Sequence, residues 1–206
     1  QIMDRRKALR TIGFGTTTIT LTPAVVGLLQ SCQSQTDAFS PIHFSKDEFS
    51  VVSQLMDLII PTTDIPGAVA LKLPEFIDGF IDIIYNKKAQ QNVSDGLGHF
   101  IGVSLEDTGK SKASQLSKSD LDGQLAKFLK ADADQQATWK SQNKNASAPV
   151  SAQAYAFVDQ LRNMTITAFK TNEYIAENVL AYAPIPGEQK GCVDLMEATG
   201  GKAWSL

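Results

Sequence analysis

The stretch SKDEFSVVSQLMDLIIP, Ser45 to Pro61, decides the fold class. Ser45 and Glu48 stand in the capping-box relation, in which the hydroxyl and the carboxylate each accept an orphaned backbone N–H at a helix start. Phe49, Val52, Met56, Ile59 and Ile60 then recur at helical spacing, and Pro61 ends the run. A second helix is predicted from Pro74, a good first-turn residue, with Phe76, Ile77, Phe80, Ile81 and Ile84 on one face. Between the two lies PTTDIPGAVALKL, a loop punctuated by Pro and Gly.

Outward from this pair the pattern stays helical. Val93, Leu97, Phe100 and Ile101 fit a helix, although Gly96, Gly98 and Gly102 each weaken it by roughly 1 kcal/mol relative to Ala. LEDTGKSKASQLSKSD reads as a polar connector, and Leu121, Leu125, Phe128 and Leu129 mark another helix continuing to Trp139. After the linker KSQNKNASAP, a helix from Ser151 carries Tyr155, Val158, Leu161 and Thr165. Asn172 is expected to cap a last helix with Tyr174, Ile175, Val179 and Leu180. No alternating pattern of strand length occurs. The expected fold is all-α, an irregular helical bundle with long Pro/Gly-rich connecting loops.

The N-terminal block sets a compartment. Asp4-Arg5-Arg6-Lys7-Ala8-Leu9-Arg10 precedes a mostly uncharged run to Leu29, the layout of an export signal. The Arg5-Arg6 pair with Leu9 resembles a twin-arginine motif, with Ala8 and Asp4 departing from its usual residues. Leu29-Gln30-Ser31-Cys32 looks like a lipobox, which makes Cys32 the candidate lipidation site. The expected organisation is a signal over 1–31, a linker over 32–44 and one helical domain over 45–206, exported and held to a membrane by lipid. Of 19 Lys+Arg and 22 Asp+Glu, four basic and one acidic residue fall in 1–31, so the remainder is more acidic than the formal −3 of the whole chain. Such a surface excludes nucleic acid as a partner, since phosphate neutralisation needs Lys and Arg. Arg162 is the sole arginine beyond the signal and is expected to hold an internal pair between the C-terminal helices.

Catalytic and cofactor patterns are missing. The two histidines, His43 and His99, lack metal-ligand spacing, and no HExxH or paired CxxC is present. No Gly-rich loop follows a strand, and there is no nucleophile elbow. Asp78 and Asp82 lie one turn apart, and the plainer reading of the pair is a solvated helix face. No catalytic, cofactor-binding or metal residue is assigned.

Two segments carry a resemblance. LMDLIIPTTDIPGAVALKLPEFID, Leu55 to Asp78, and FVDQLRNMTITAFKTNEYIAENVLAYAPIPGEQKGC, Phe157 to Cys192, are similar to the N- and C-terminal signatures of the gluconate 2-dehydrogenase subunit 3 family. The shared elements are Ile-Ile-Pro, Asp-x-Pro-Gly-Ala and Phe-Ile-Asp in the first segment. The second has Leu-Arg, Leu-x-Tyr and Pro-Gly-x-x-x-Gly-Cys. The resemblance implies a non-catalytic small subunit that assists assembly, stability and twin-arginine export of an FAD-dependent dehydrogenase of the glucose–methanol–choline type. FAD would belong to that partner, electrons would pass to a cytochrome c subunit or to quinone, and this chain would hold no cofactor. The alternative is a free-standing helical lipoprotein binding a small ligand.

If the chain is such a subunit, the Pro-rich loops are the expected contact, because they present pre-ordered backbone at low entropic cost. The candidate interface residues are Asp64, Pro66, Gly67, Tyr174, Tyr182, Pro186 and Gly187. With Cys32 consumed by lipid, Cys192 is left over in an oxidising compartment. Two readings stand side by side: a thiol buried under its loop, and an intersubunit disulfide.

Overall fold

Ser45 caps the first helix as the sequence dictates. Its Oγ accepts from Glu48 N, and Glu48 Oε2 accepts from Ser45 N at 2.9 Å. The structure is a computed structural model that describes residues 39–144, 147–185, 187–188 and 191–205. The helices, in chain order, are α1 (Lys46–Ile59), α2 (Leu73–Ile84), α3 (Lys87–Thr108), α4 (Lys118–Leu129), α5 (Ala133–Gln142), α6 (Val150–Lys170) and α7 (Leu195–Thr199). A 3-10 turn at Ala113–Gln115 precedes α4, and a π-helical turn at Ile175–Val179 follows α6. Residues Ser40–Leu206 form one compact unit. Among the described residues the extended pairing is a single parallel bridge between Ala181 and Trp204. The architecture is all-α.

The helix α6 is the hub. It packs on α1 to α5 and on the π-turn, and its longest seam is with α3. Small residues permit this: Ala152, Ala154 and Ala168 are buried on α6, and Gly96 is buried on α3. A Cβ at Gly96 would lie 2.9 Å from Phe157 Cβ, so only glycine lets the two backbones come this close. The glycine-rich stretch is therefore one continuous 22-residue helix. Asn86 caps its start, accepting from Ala89 N, and Gly109 closes it at φ 66°. Helix α3 carries three interior glycines, worth roughly 3 kcal/mol in propensity. Its buried Val93, Leu97 and Phe100 each contribute about 1.5–3 kcal/mol, and burial wins.

Other boundaries move for similar local reasons. The expected run from Leu121 to Trp139 is two helices, because Asp132 accepts from Gln135 N at 2.7 Å and starts α5 afresh. Gln136 Nε2 donates to Leu129 O and Ala131 O at the corner. Trp139 folds back onto Phe128 and Tyr155, with ring centroids 5.5 and 5.1 Å away. The expected last helix is reduced to the π-turn, with Asn172 Oδ1 accepting from Tyr174 N.

The start of α4 is tied electrostatically. Asp120 accepts from Lys110 and from the Ser117 amide and hydroxyl, and these bonds lower its carboxyl from 3.8 to about 2. Lys127 and Gln124 likewise hold Asp107 below the usual carboxylate range.

Two measurements check this account. Gly98 has open space for a Cβ whereas Gly96 does not. Gly98→Ala should therefore stabilise by about 1 kcal/mol, and Gly96→Ala should destabilise by about 1–3 kcal/mol, in urea denaturation. Because Asp120 titrates lower folded than unfolded, its stabilisation is complete above about pH 4 and is withdrawn as pH falls toward 2. Asp120→Asn should flatten that part of the urea-midpoint profile and lower the midpoint at pH 5.

Candidate functional site

Titratable clusters come first, since catalysis would require one. Among the described residues no three His, Cys, Asp or Glu side chains gather to hold a metal ion. His43 Nε2 lies 3.3 Å from Ser94 Oγ, and its ring meets Phe44 edge-on. The carboxylate pair is split by the fold. Asp78, read from sequence as part of a solvated face, is instead fully buried. Its Oδ2 accepts from Ile42 N at 2.6 Å, and its Oδ1 accepts from His43 N and Phe44 N at 3.2 and 3.0 Å. Three amides compensate the burial of one carboxylate, a structural clamp rather than an acid–base group. It fastens residues 42–44, assigned to the linker by sequence, to α2.

What the surface does offer is apolar. Beyond α6 the chain makes an excursion that returns on itself at the Ala181–Trp204 bridge. Ala181 N donates to Ala203 O and Ser205 N to Ala181 O, both at 2.8 Å. Tyr174, Tyr182, Ile185, Val193, Leu195, Met196 and Trp204 are all exposed along it, from 49% for Tyr174 to 87% for Ile185. Exposed Glu173, Glu177, Glu188 and Glu197 lie among them. Helix α7 is set by Asp194, whose Oδ1 accepts from Met196 N and Glu197 N.

A second apolar surface lies between α2 and α6. A groove of about 370 Å³ is lined by Phe76, Phe80, Tyr85, Met164, Ala168 and Thr171, among others. Helix α2 faces three ways. Ile77 and Ile81 enter the core, Asp78 holds the incoming chain, and Phe76, Ile83 and Ile84 remain 55%, 76% and 62% exposed. The single buried stripe expected from Phe76 to Ile84 thus divides. The apolar arc is wider than one seam can cover, a signal that Ile83 already carried in the sequence.

The sequence-selected residues distribute as follows. Asp64 is exposed on the α1–α2 loop and Pro66 is half-buried. Gly67 is buried under that loop, where a Cβ would fall 2.4 Å from Thr62 N, so it shapes the loop and presents no contact of its own. Tyr174, Tyr182 and Gly187 are exposed on the C-terminal excursion. Cys192 is an exposed free thiol at φ 53°, which rules out the reading of a thiol buried beneath its loop. Arg162 is exposed and makes no ion pair among the described residues, so the expected internal pair is not formed. Its helix already buries Leu161 and Thr165 on the inward side, and residue 162 falls outside that stripe. Arg5, Arg6, Cys32 and Pro186 lie outside the described residues. Reasoning from sequence reached Ile185 only as part of its Pro-rich loop and missed Val193, Leu195, Met196 and Trp204, since no periodicity marks an exposed irregular segment.

The model of the family described as gluconate 2-dehydrogenase subunit 3 matches residues 46–187. This chain belongs to the gluconate 2-dehydrogenase subunit 3 family. Comparison with curated proteins and with solved structures gave no match. The family is that of a small accessory subunit of a dehydrogenase complex, so an association surface is what this chain has to supply. The matched span contains α1 to α6, the α1–α2 loop and Asp78 itself, whereas the amides that Asp78 holds, at residues 42–44, precede it. It ends at Gly187, so Cys192 and α7 lie beyond it.

The clamp is open to direct measurement. Asp78→Ala leaves three amides without their acceptor and should cost about 3 kcal/mol, whereas Asp82→Ala should change stability by less than about 0.5 kcal/mol. Limited proteolysis should cut Asp78→Ala ahead of Ser45 faster than the parent chain.

Proposed function

We propose that this chain is a non-catalytic subunit that docks on an FAD-dependent dehydrogenase of the glucose–methanol–choline type and assists its assembly, stability and export. The observation carrying this reading is the C-terminal excursion, with seven large apolar side chains exposed along a segment held in shape by its own bridge. Scattered surface apolar residues need no explanation, but a dense set rimmed by charge marks an association site. The glutamates among the apolar residues call for basic groups at the partner's rim. FAD and the oxidation of a sugar or sugar acid would belong to the partner, with electrons passing to a cytochrome c subunit or quinone.

The sequence around Arg5 and Arg6 supports export of the assembled pair by the twin-arginine route, and Cys32 would anchor it to the membrane by lipid. In that oxidising setting the exposed Cys192 is placed to form a disulfide with the flavoprotein. The two thiols would give up two protons and two electrons to the disulfide-forming machinery of the compartment.

Native co-isolation tests the reading. Ile185→Asp and Met196→Asp alter exposed positions and should leave the isolated chain's melting unchanged while reducing recovery of the flavoprotein at least about tenfold. Cys192→Ser should convert a single band on non-reducing electrophoresis into two. A flavoprotein that assembles and exports equally well with the Asp variants would contradict the proposal.

A further inference from the structure

A second concavity, chemically opposite to the apolar groove, opens over the α3–α6 seam beside the end of α5. Its volume is about 310 Å³, and its lining includes Asn92, Asp95, Asn143, Gln153, Gln160 and Phe157. Four carboxamides and one carboxylate thus converge above a floor formed where Gly96 meets Phe157. We propose that this cavity binds a small, uncharged polyhydroxylated molecule of monosaccharide size.

The chemistry of the lining selects the ligand class. A carboxamide presents two donors and an acceptor in one plane, which suits neighbouring hydroxyls that each donate and accept; a carboxylate only accepts. Among the described residues no lysine, arginine or histidine lines the cavity to neutralise a phosphate or an acid, and Asp95 repels both. Asp95 is the one anionic side chain in the described lining, whereas divalent-ion sites usually draw on several carboxylates. Gly96 and Phe157, both buried, close the bottom of the cavity with apolar atoms. The volume is at the lower end of the roughly 300–1,000 Å³ typical of small-molecule sites, enough for one sugar ring and too little for a chain of them.

Three of the polar groups are also held in place. Gln153 Nε2 donates to Ala148 O at 2.8 Å, Gln160 Nε2 to Tyr85 Oη at 3.4 Å, and Gln91 Nε2 to Asp95 Oδ1 at 2.7 Å. Gln153 Oε1, Gln160 Oε1 and Asp95 Oδ2 stay uncommitted among the described residues. The side chains of Asn92 and Asn143 make no hydrogen bond among the described residues and keep their full capacity for a ligand. A site already oriented by its own hydrogen bonds loses little entropy on binding.

The inference is independent of docking to a flavoprotein, and its test uses this chain alone. The full chain, labelled with ¹⁵N, is titrated with D-glucose, with sorbitol and with gluconate at constant ionic strength. Glucose and sorbitol should give saturable shifts confined to the amides of residues 92–96, 143 and 153–160. The dissociation constant should be on the order of 1–10 mM, as befits a small neutral ligand. Gluconate should bind at least about fivefold more weakly, and Asp95→Asn should narrow that gap. Asn92→Ala and Gln160→Ala should each weaken glucose about tenfold with an unchanged thermal midpoint. Absence of a saturable shift with both polyols, shifts scattered over the surface, gluconate binding as tightly as glucose, or unaltered affinity in both alanine variants would each overturn the proposal.

Discussion

The close approach of α3 and α6 at Gly96 is the constraint on which the rest of the body depends. Helix α6 packs on five other helices, and a helix can serve so many neighbours only if some contacts are made backbone to backbone. Gly96 against Phe157 is such a contact, since a Cβ there would fall 2.9 Å from Phe157 Cβ. Buried polar groups on the same helices are satisfied internally: Thr165 Oγ1 donates to Leu161 O and Ser104 Oγ to Phe100 O, both at 2.7 Å. Neither of these two hydroxyls is left to be rescued by solvent. With α6 enclosed on so many sides, most of the exposed large apolar side chains lie on elements that the hub leaves outside, namely one face of α2 and the segment after Lys170.

Helix α2 shows how a short element can be shared among three tasks. Within twelve residues it supplies core side chains, a buried carboxylate for the incoming chain and an uncovered apolar edge. Its start has no side-chain cap, since Lys72 sits in the left-handed region at φ 55°, and Pro74 in the first turn compensates by needing no N–H partner. The tight α1–α2 loop, with Ala68 N donating to Ile60 O, aims the helix. Gly67 is indispensable there because backbone, not side chain, occupies the space a Cβ would need.

These arrangements also explain how far the residues could be read in advance. Capping and periodicity act within a few residues, so α1 was legible from its cap and apolar spacing, and α4 and α6 from apolar spacing. The continuity of α3 was obscured because glycine propensity is local, whereas the compensating burial of Leu97 and Phe100 is tertiary. Asp78 was misread because the amides it serves lie 34–36 residues away in sequence, and a helical wheel carries no such information. Arg162 was expected to pair because a lone arginine among acidic residues suggests it, yet its position on α6 points it away from every buried stripe. The exposed apolar excursion left no periodic trace; Pro186, Gly187 and Cys192 were singled out from loop chemistry and its two tyrosines as aromatic anchors, none of them from pattern.

The bridge between Ala181 and Trp204 has a consequence for the mechanics of association. Two hydrogen bonds turn the last segment from a dangling tail into a closed ring, and the entropy of closing a loop of this length is met within the chain itself. The described side chains between Tyr182 and Met196 thus sit on one hoop whose ends are pinned next to the π-turn that follows α6. Such a hoop can adapt its outline to a neighbour without unthreading from the body. Its clasp lies beside Trp204, so chain chemistry at that remote residue governs the shape of the whole ring.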